Sequence, residues 1–148
     1  MSPAATLPSQ LPKARKLRIA AAYYATYVLL GLVLTSIGPS LDALQAQSGS
    51  STETIALLFT ANSLGYIAGS LLAGRLYARV AGNRVLPAAL LILALPTLSV
   101  PWLGSPGLLI VAFALIGVPL GVMDVGGNTL IVWLYRGDVP PYMNALHL

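Results

Sequence analysis

The residues best suited to chemistry lie in a long apolar run in the last third of the sequence. Asp124 is an ionisable side chain among apolar neighbours, and Asn128 follows it by four residues. Gly117, Gly121, Asp124 and Asn128 are spaced 4-3-4, which places all four on one face of a helix. Because a charged side chain at membrane depth costs at least ~2.5–3.5 kcal/mol on insertion scales, Asp124 is expected to face a cavity or a partner helix.

Asp124 and Asn128 are the types of side chain that handle ions and polar solutes. Burial disfavours the charged form of an unpaired carboxyl group, so Asp124 could take up a proton near neutral pH. The Asn128 amide can both donate and accept hydrogen bonds, which suits a hydroxyl-rich ligand. A buried hydrogen bond between helices, or a position near the membrane surface, is the alternative for Asp124.

The composition indicates that lipid is the medium around this chain. Of 148 residues, 57% are hydrophobic and 8% are charged, and the mean hydropathy is +0.81. A soluble domain usually carries about 25% charged residues, so this chain could not cover a water-facing surface. The net charge of +4 comes from basic residues at the edges of apolar blocks, without interleaved aromatic residues, which argues against nucleic-acid binding.

The residue counts argue against catalysis and metal binding. There is no cysteine, one histidine, and four acidic residues that are spread along the chain. By themselves these cannot assemble a thiolate site, a metal cluster or a catalytic triad. We therefore predict that the protein is not an enzyme and that it has no cofactor or metal.

Four apolar blocks are each long enough to cross a hydrocarbon core, which takes about 20 helical residues. We predict spans at about 19–38, 55–74, 86–103 and 108–135, and the start of a fifth helix from 143. Pro39 follows Gly38 and is expected to end the first span. The predicted fold class is an all-α integral membrane protein with four transmembrane helices and the start of a fifth. Residues 1–18 are predicted to be a disordered basic tail, and residues 19–148 an incomplete membrane domain.

The Lys and Arg residues predict the orientation of these spans. Four of them precede the first span, and the successive connections carry zero, three, zero and one. By the positive-inside rule, the N-terminus and the second and fourth connections lie in the cytoplasm. We expect a multi-pass protein of the plasma membrane with a cytoplasmic N-terminus.

Small residues mark helix faces that pack closely. One face of the second span carries such residues at four-residue spacing: Ala61, Gly65, Gly69 and Ala73. Faces of this kind let helix backbones approach each other inside lipid. Gly117 and Gly121 give the fourth span a similar face, so we predict that both helices pack tightly against a partner.

The connection between the second and third spans carries glycines and arginines in a recognisable pattern: Gly74, Arg75, Arg79, Gly82 and Arg84. The pattern and its position resemble the cytoplasmic loop motif of the major facilitator superfamily. In that family, basic and acidic residues of this loop help to lock the cytoplasmic sides of the two halves together. Here Ala78 stands where the family has an aspartate, and the spacing to Gly82 is one residue longer. The alternative is that the arginines only set orientation.

A second resemblance is narrower. The stretch 120–129, followed by 143–147, is similar to a sugar-handling branch of that superfamily, which includes fucose permeases and sodium-dependent glucose transporter-like proteins. In that branch an acid, two small residues and an asparagine stand in the fourth helix, and an asparagine-rich turn opens the fifth. The resemblance implies proton coupling or sugar binding at Asp124, with Asn128 and Asn144 beside it.

Aromatic residues add a further candidate surface. Tyr23 and Tyr27 stack on one face of the first span. In this family the first and fourth helices line the central cavity, so these rings could contact a sugar. The alternative is a belt of tyrosines at the membrane interface. His147 is the only histidine, and the sequence indicates no partner for it, so we predict a helix-start or packing role.

These features predict part of a secondary carrier that moves a sugar or other small polar solute together with a proton or sodium ion. Carriers of this family enclose a central site between two six-helix halves, each built of inverted three-helix repeats. Residues 19–148 would then be an incomplete N-terminal transporter domain that meets the lipid bilayer and C-terminal helices missing from this chain. The alternative is a truncated or partner-dependent membrane protein that has no transport activity of its own.

Overall fold

A computed structural model describes residues 11–147 of the chain. It contains five α-helices: α1 (Lys13–Ser48), α2 (Thr52–Arg79), α3 (Gly82–Ser99), α4 (Pro106–Leu134) and α5 (Pro140–Leu146). A short 3₁₀ turn follows α3 at Val100–Trp102. No strand occurs among residues 11–147, and four of the helices are long and apolar enough to cross a membrane. The predicted all-α, multi-pass membrane fold is therefore confirmed.

The first helix is longer than the predicted span at both ends. α1 begins at Lys13, so the basic residues that were assigned to a disordered tail form its first turns. The rest of that predicted tail, residues 1–10, lies outside the described part of the chain. At its other end α1 continues through Pro39 to Ser48, and the predicted end at Gly38 is wrong.

Local hydrogen bonds and packing explain why Pro39 does not end α1. Proline removes one N–H donor from a helix, and in lipid Ser and Thr side chains help to satisfy the affected backbone. The Ser40 hydroxyl, next to the proline, donates to the Ser36 carbonyl oxygen at 2.7 Å, whereas the carbonyl that Pro39 itself leaves without a donor is that of Thr35. Ile37 and Leu44, on either side of the proline, are both buried in the core of the bundle. Their burial stabilises the extra turns of α1.

The second helix also extends beyond its predicted end. A side-chain cap at Ser51 starts α2, and the helix continues past Gly74 because good helix formers such as Leu76 follow it. Only two residues separate α2 from α3. The predicted cytoplasmic loop motif is therefore mostly helical. Its members lie on the last turns of α2 (Gly74, Arg75 and Arg79) and in the first turn of α3 (Gly82 and Arg84).

α4 lies at the centre of the bundle and contacts α1, α2, α3 and α5. Its inward side chains include Leu109, Leu120 and Met123, which have no exposed surface. The outward face of α3 shows the opposite pattern, with Leu91 71% and Leu95 74% exposed. Such apolar outer faces are expected of helices that lie in lipid.

The closest helix pair in the bundle is α2 with α4. Gly65 and Gly69 lie against the backbone of α4, and Gly117 and Gly121 lie against the backbone of α2. A Cβ atom at any of these four positions would overlap a carbonyl oxygen of the opposite helix. The remaining members of the α2 row are buried as well: Ala61 and Ala73. This close approach fixes the register of α2 on α4, and with it the residues that meet Asp124.

Candidate substrate and ion site

The Asp124 carboxylate accepts hydrogen bonds from hydroxyl groups on two other helices. Tyr66 of α2 donates to Oδ2 at 2.5 Å. The hydroxyl oxygen of Tyr27, on α1, lies 3.0 Å from Oδ1 and 2.6 Å from the carbonyl oxygen of the same aspartate. Both tyrosines act as donors, because an ionised carboxylate and a carbonyl oxygen can only accept. Asp124 thus joins α1, α2 and α4 at a single group.

Asn128 extends this network from Tyr27 toward the end of α5. Its Nδ2 group donates to the Tyr27 hydroxyl at 2.6 Å and to the Asp124 carbonyl oxygen at 2.9 Å. Its Oδ1 atom lies 3.1 Å from Nε2 of His147. Because an amide oxygen can only accept, Nε2 of His147 carries the proton of this bond. The donors of His147, Asn128 and Tyr27 therefore point along one chain toward Asp124, and each bond in such a chain strengthens the next.

Two glycines of α4 make room for tyrosine rings beside this network. A Cβ atom at Gly127 would overlap the ring of Tyr27, and a Cβ atom at Gly126 would overlap the hydroxyl group of Tyr77. Tyr77 lies on α2 and donates to the Val122 carbonyl oxygen at 3.3 Å. The glycine pair after Asp124 is therefore explained by close ring packing.

Asp124 lies well inside α4, a helix that is long and apolar enough to cross a membrane. It lies ten residues before Leu134, the last residue of the helix, which corresponds to about 15 Å at 1.5 Å per residue. Asp124 is partly buried there, against its tyrosine partners.

The structure brings together three of the five residues predicted to handle substrate or protons: Asp124, Asn128 and Tyr27. Tyr23 is half-buried and packs against the apolar core, and it makes no hydrogen bond within residues 11–147. Asn144 is exposed on α5. Its side chain makes no hydrogen bond to the described residues, and its carbonyl oxygen accepts from the His147 N–H at 3.1 Å. Neither side chain forms a hydrogen bond with Asp124, so the roles of Tyr23 and Asn144 in handling substrate or protons stay predictions.

Two members of the network were not predicted from the sequence. Tyr66 belongs to a polar row with Asn62 and Ser70, one residue beyond the small-residue row of α2, and this spacing could have identified it. His147 was expected to have no identifiable partner, but it contacts Asn128 and packs edge-on against Tyr27 with 5.9 Å between ring centroids. His147 follows the last turn of α5, so the expected helix-start position is wrong, although it does pack.

The predicted loop-motif arginines lie at one end of a groove on another face of the bundle. Arg75, Arg79 and Arg84 are exposed and line a cavity of about 640 Å³ between α2, α3 and α4. None of the three forms an ion pair within residues 11–147. Of the two motif glycines, Gly74 faces open space, and Gly82 lies against the Leu130 side chain.

Metal ligation was not predicted, and the described residues offer no ligand cluster. Within residues 11–147, no three His, Cys, Asp or Glu side chains are close enough together to hold a metal ion.

Comparison with known proteins identifies the family. The sequence profile of the Major Facilitator Superfamily matches residues 23–146. The chain therefore belongs to the major facilitator superfamily, and the predicted resemblance is confirmed.

The relatives agree with the narrower resemblance. Over 129 residues the chain is 32% identical to Sodium-dependent glucose transporter 1 of Danio rerio, an alignment that covers 87% of this chain and 22% of that protein. It is 28% identical over 123 residues to Sodium-dependent glucose transporter 1 of Homo sapiens, which covers 83% of this chain and 24% of the relative. It is also 30% identical over 132 residues to Major facilitator superfamily domain-containing protein 4B of Danio rerio, an alignment that covers 84% of this chain and 24% of that protein. The chain spans about a quarter of the length of these relatives. No solved structure shows a significant match.

Proposed function

We propose that this chain is part of a secondary carrier that couples a proton or sodium ion to the movement of a sugar or another small polar solute. The observation that carries the proposal is the Asp124 carboxylate, which accepts hydroxyl hydrogen bonds from Tyr27 and Tyr66 inside an apolar bundle. Ionisable groups at membrane depth are typical of ion and substrate pathways. Relatives named as sodium-dependent glucose transporters support the same class of cargo and ion.

The surroundings of Asn128 support a polar solute. A cavity of about 300 Å³ opens beside this residue and is also lined by Thr129, Trp133 and Met143. Hydrogen-bonding side chains next to an aromatic ring can hold both the hydroxyl groups and the apolar face of a sugar. Asn128 also contacts Tyr27, so a solute bound there would lie next to the residues that hold Asp124.

The hydrogen bonds of Asp124 provide a physical route for coupling. When a carboxylate takes up a proton, one of its oxygens becomes a donor. Protonation of an oxygen that faces a tyrosine hydroxyl weakens or reverses that hydrogen bond, and the tyrosine belongs to α1 or α2. A sodium ion at the carboxylate would compete for the same oxygens. Ion binding would thereby alter the contact of α4 with its neighbours, which is the requirement for a carrier that changes conformation.

The test is ion-driven uptake by the full-length product of the gene that encodes this chain. Asp124→Asn keeps the size of the side chain and removes its charge. With radiolabelled glucose and fucose in proteoliposomes, we expect it to abolish accumulation driven by a proton or sodium gradient, while exchange across the membrane without a gradient persists. Asp42→Asn is the matched control, because Asp42 is exposed on α1. Undiminished accumulation by Asp124→Asn would refute the proposed role of Asp124.

A second candidate follows from the length comparison, since the chain spans about a quarter of its relatives. In this candidate the 148-residue chain is a partner-dependent membrane protein without transport activity of its own. Reading the gene beyond the Leu148 codon separates the two. A frame that continues into further apolar spans supports the carrier, and a stop codon supports the partner-dependent protein.

The proposed orientation places the N-terminus in the cytoplasm of a plasma-membrane protein, on the basis of the Lys and Arg distribution. These 148 residues contain no cysteine, so a single introduced cysteine is the one thiol of this segment. Ser50 lies between α1 and α2, and Asn83 lies at the start of α3. A membrane-impermeant thiol reagent applied to intact cells should label Ser50→Cys but not Asn83→Cys, and the opposite pattern would contradict this orientation.

A further inference from the structure

The groove between α2, α3 and α4 combines an apolar lining with basic residues at one end. Its walls are formed by apolar side chains of all three helices: Leu72, Leu76, Val85, Ala88, Ile92 and Val122. Arg75 and Arg79 from the end of α2 and Arg84 from the start of α3 complete the lining. Because the two helix ends are joined by only two residues, the three guanidinium groups belong to one end of the groove.

The charges of this groove are unbalanced. Its lining includes no aspartate or glutamate, although it includes three of the eight basic residues of the chain. All three arginines are exposed, and none of them has an ion-pair partner within residues 11–147. Three neighbouring positive charges repel one another, so a ligand with a negatively charged group is the complementary occupant.

The apolar part of the groove distinguishes a lipid from a soluble anion. From Arg84 to Ile92 the groove follows α3 for eight residues, or about 12 Å along the helix axis. These apolar walls continue from the basic end into helices that are long enough to cross a membrane. A free phosphate ion would use only the arginines. A phospholipid would place its headgroup at the arginines and an acyl chain along the apolar walls.

We propose that this groove binds an anionic phospholipid, with its phosphate-containing headgroup at Arg75, Arg79 and Arg84 and an acyl chain between α2 and α3. Basic pockets between transmembrane helices on the cytoplasmic side are known sites for anionic lipid headgroups. This inference does not depend on the proposed transport function, because none of the residues that hydrogen-bond to the Asp124 carboxylate lines the groove.

The test measures lipid binding to the purified 148-residue chain by native mass spectrometry from neutral detergent micelles. Phosphatidylglycerol is the anionic probe, and phosphatidylcholine with the same acyl chains is the comparison lipid. We expect phosphatidylglycerol to bind more tightly. In the triple variant R75Q/R79Q/R84Q its affinity should fall about 100-fold, at roughly five-fold for each arginine. Circular dichroism of each variant checks that the helices are retained.

Two further variants distinguish a specific groove from general surface charge. K13Q/R18Q/R136Q removes three exposed basic residues that do not line the groove, and it should leave phosphatidylglycerol affinity within about two-fold of the unmodified chain. Ala88→Trp fills the groove without changing any charge, and it should weaken binding of phosphatidylglycerol. The proposal is overturned if the two triple variants lose equal affinity, if Ala88→Trp binds normally, or if the two lipids bind equally well.

The same comparison in the full-length gene product reports on a competing occupant. If another helix of that protein fills the groove, phosphatidylglycerol will not bind there in preference to phosphatidylcholine, and the arginine variants will have no effect. That result would show that a helix of the protein, and not a lipid, occupies the groove. It would reject the proposal for the full-length protein.

Discussion

The ring of Tyr27 lies directly against Gly127, and the hydroxyl group of the same tyrosine lies 3.0 Å from the Asp124 carboxylate. α1 and α4 meet where one helix has a bulky ring and the other has no side chain. Gly127 follows Asp124 by three residues, so both lie on the side of α4 that faces α1. The geometry of the candidate ion site therefore depends on a residue that carries no functional group.

Gly127→Ala should displace the Tyr27 ring and weaken its hydrogen bond to Asp124. A hydrogen bond to a charged group contributes about 1.5–3 kcal/mol, so we expect ion-driven uptake by the full-length protein to fall about ten-fold or more. Gly31→Ala is the matched control, because a Cβ atom at Gly31 of α1 meets nothing within 4 Å. Normal uptake by Gly127→Ala would show that ring placement at this contact is not needed.

Removing either tyrosine hydroxyl should weaken ion-driven uptake by the full-length protein. Tyr27→Phe and Tyr66→Phe each remove one hydrogen-bond donor to the Asp124 carboxylate. A hydrogen bond to a charged group contributes about 1.5–3 kcal/mol, so we expect uptake to fall about ten-fold or more in each variant. Tyr23→Phe removes a hydroxyl that makes no hydrogen bond within residues 11–147, and its uptake should not change. Normal uptake by Tyr66→Phe would contradict the donor role.

The two glycines Gly69 and Gly74 should respond to alanine with opposite signs, although both lie on α2. Alanine is favoured over glycine inside a helix by about 1 kcal/mol, so Gly74→Ala should stabilise the protein slightly, since its Cβ atom meets nothing within 4 Å. At Gly69 the added Cβ atom would overlap the Val118 carbonyl oxygen of α4. We expect that overlap to cost about 1–3 kcal/mol, which should lower the thermal unfolding midpoint in detergent. Equal midpoints for the two variants would show that α2 and α4 are not held at this close distance.

The membrane fold was predictable because its signal is local. Each span is a run of apolar residues, and its length can be compared directly with the thickness of a hydrocarbon core. Asp124 and Asn128 were found for the same reason, since a polar side chain stands out in such a run. The small-residue row of α2 carries a local spacing that indicates a close helix neighbour.

The remaining features depend on tertiary contacts, which local patterns do not contain. Pro39 was expected to end α1, but the burial of Ile37 and Leu44 against other helices stabilises the turns around it. The polar row of α2 marks Tyr66 in the sequence, but its pairing with Asp124 follows only from the register of α2 on α4. His147 reaches Asn128 because the chain turns back after α4, and its position in the sequence does not indicate that contact.

His147 should contribute to the affinity for the transported solute through the hydrogen bond that orients Asn128. Its Nε2 donates to Oδ1 of Asn128 at 3.1 Å, which leaves the Asn128 amide group directed toward Tyr27. His147→Phe keeps a ring beside Tyr27 and removes the donor, so we expect the apparent KM for solute to rise about five- to ten-fold, as loss of one hydrogen bond implies. His147→Gln supplies an N–H donor of similar reach and should restore a KM close to that of the unmodified protein. Measured uptake kinetics would contradict this role if both variants behaved alike, because ring packing or chain position would then explain the effect of His147 without the hydrogen bond.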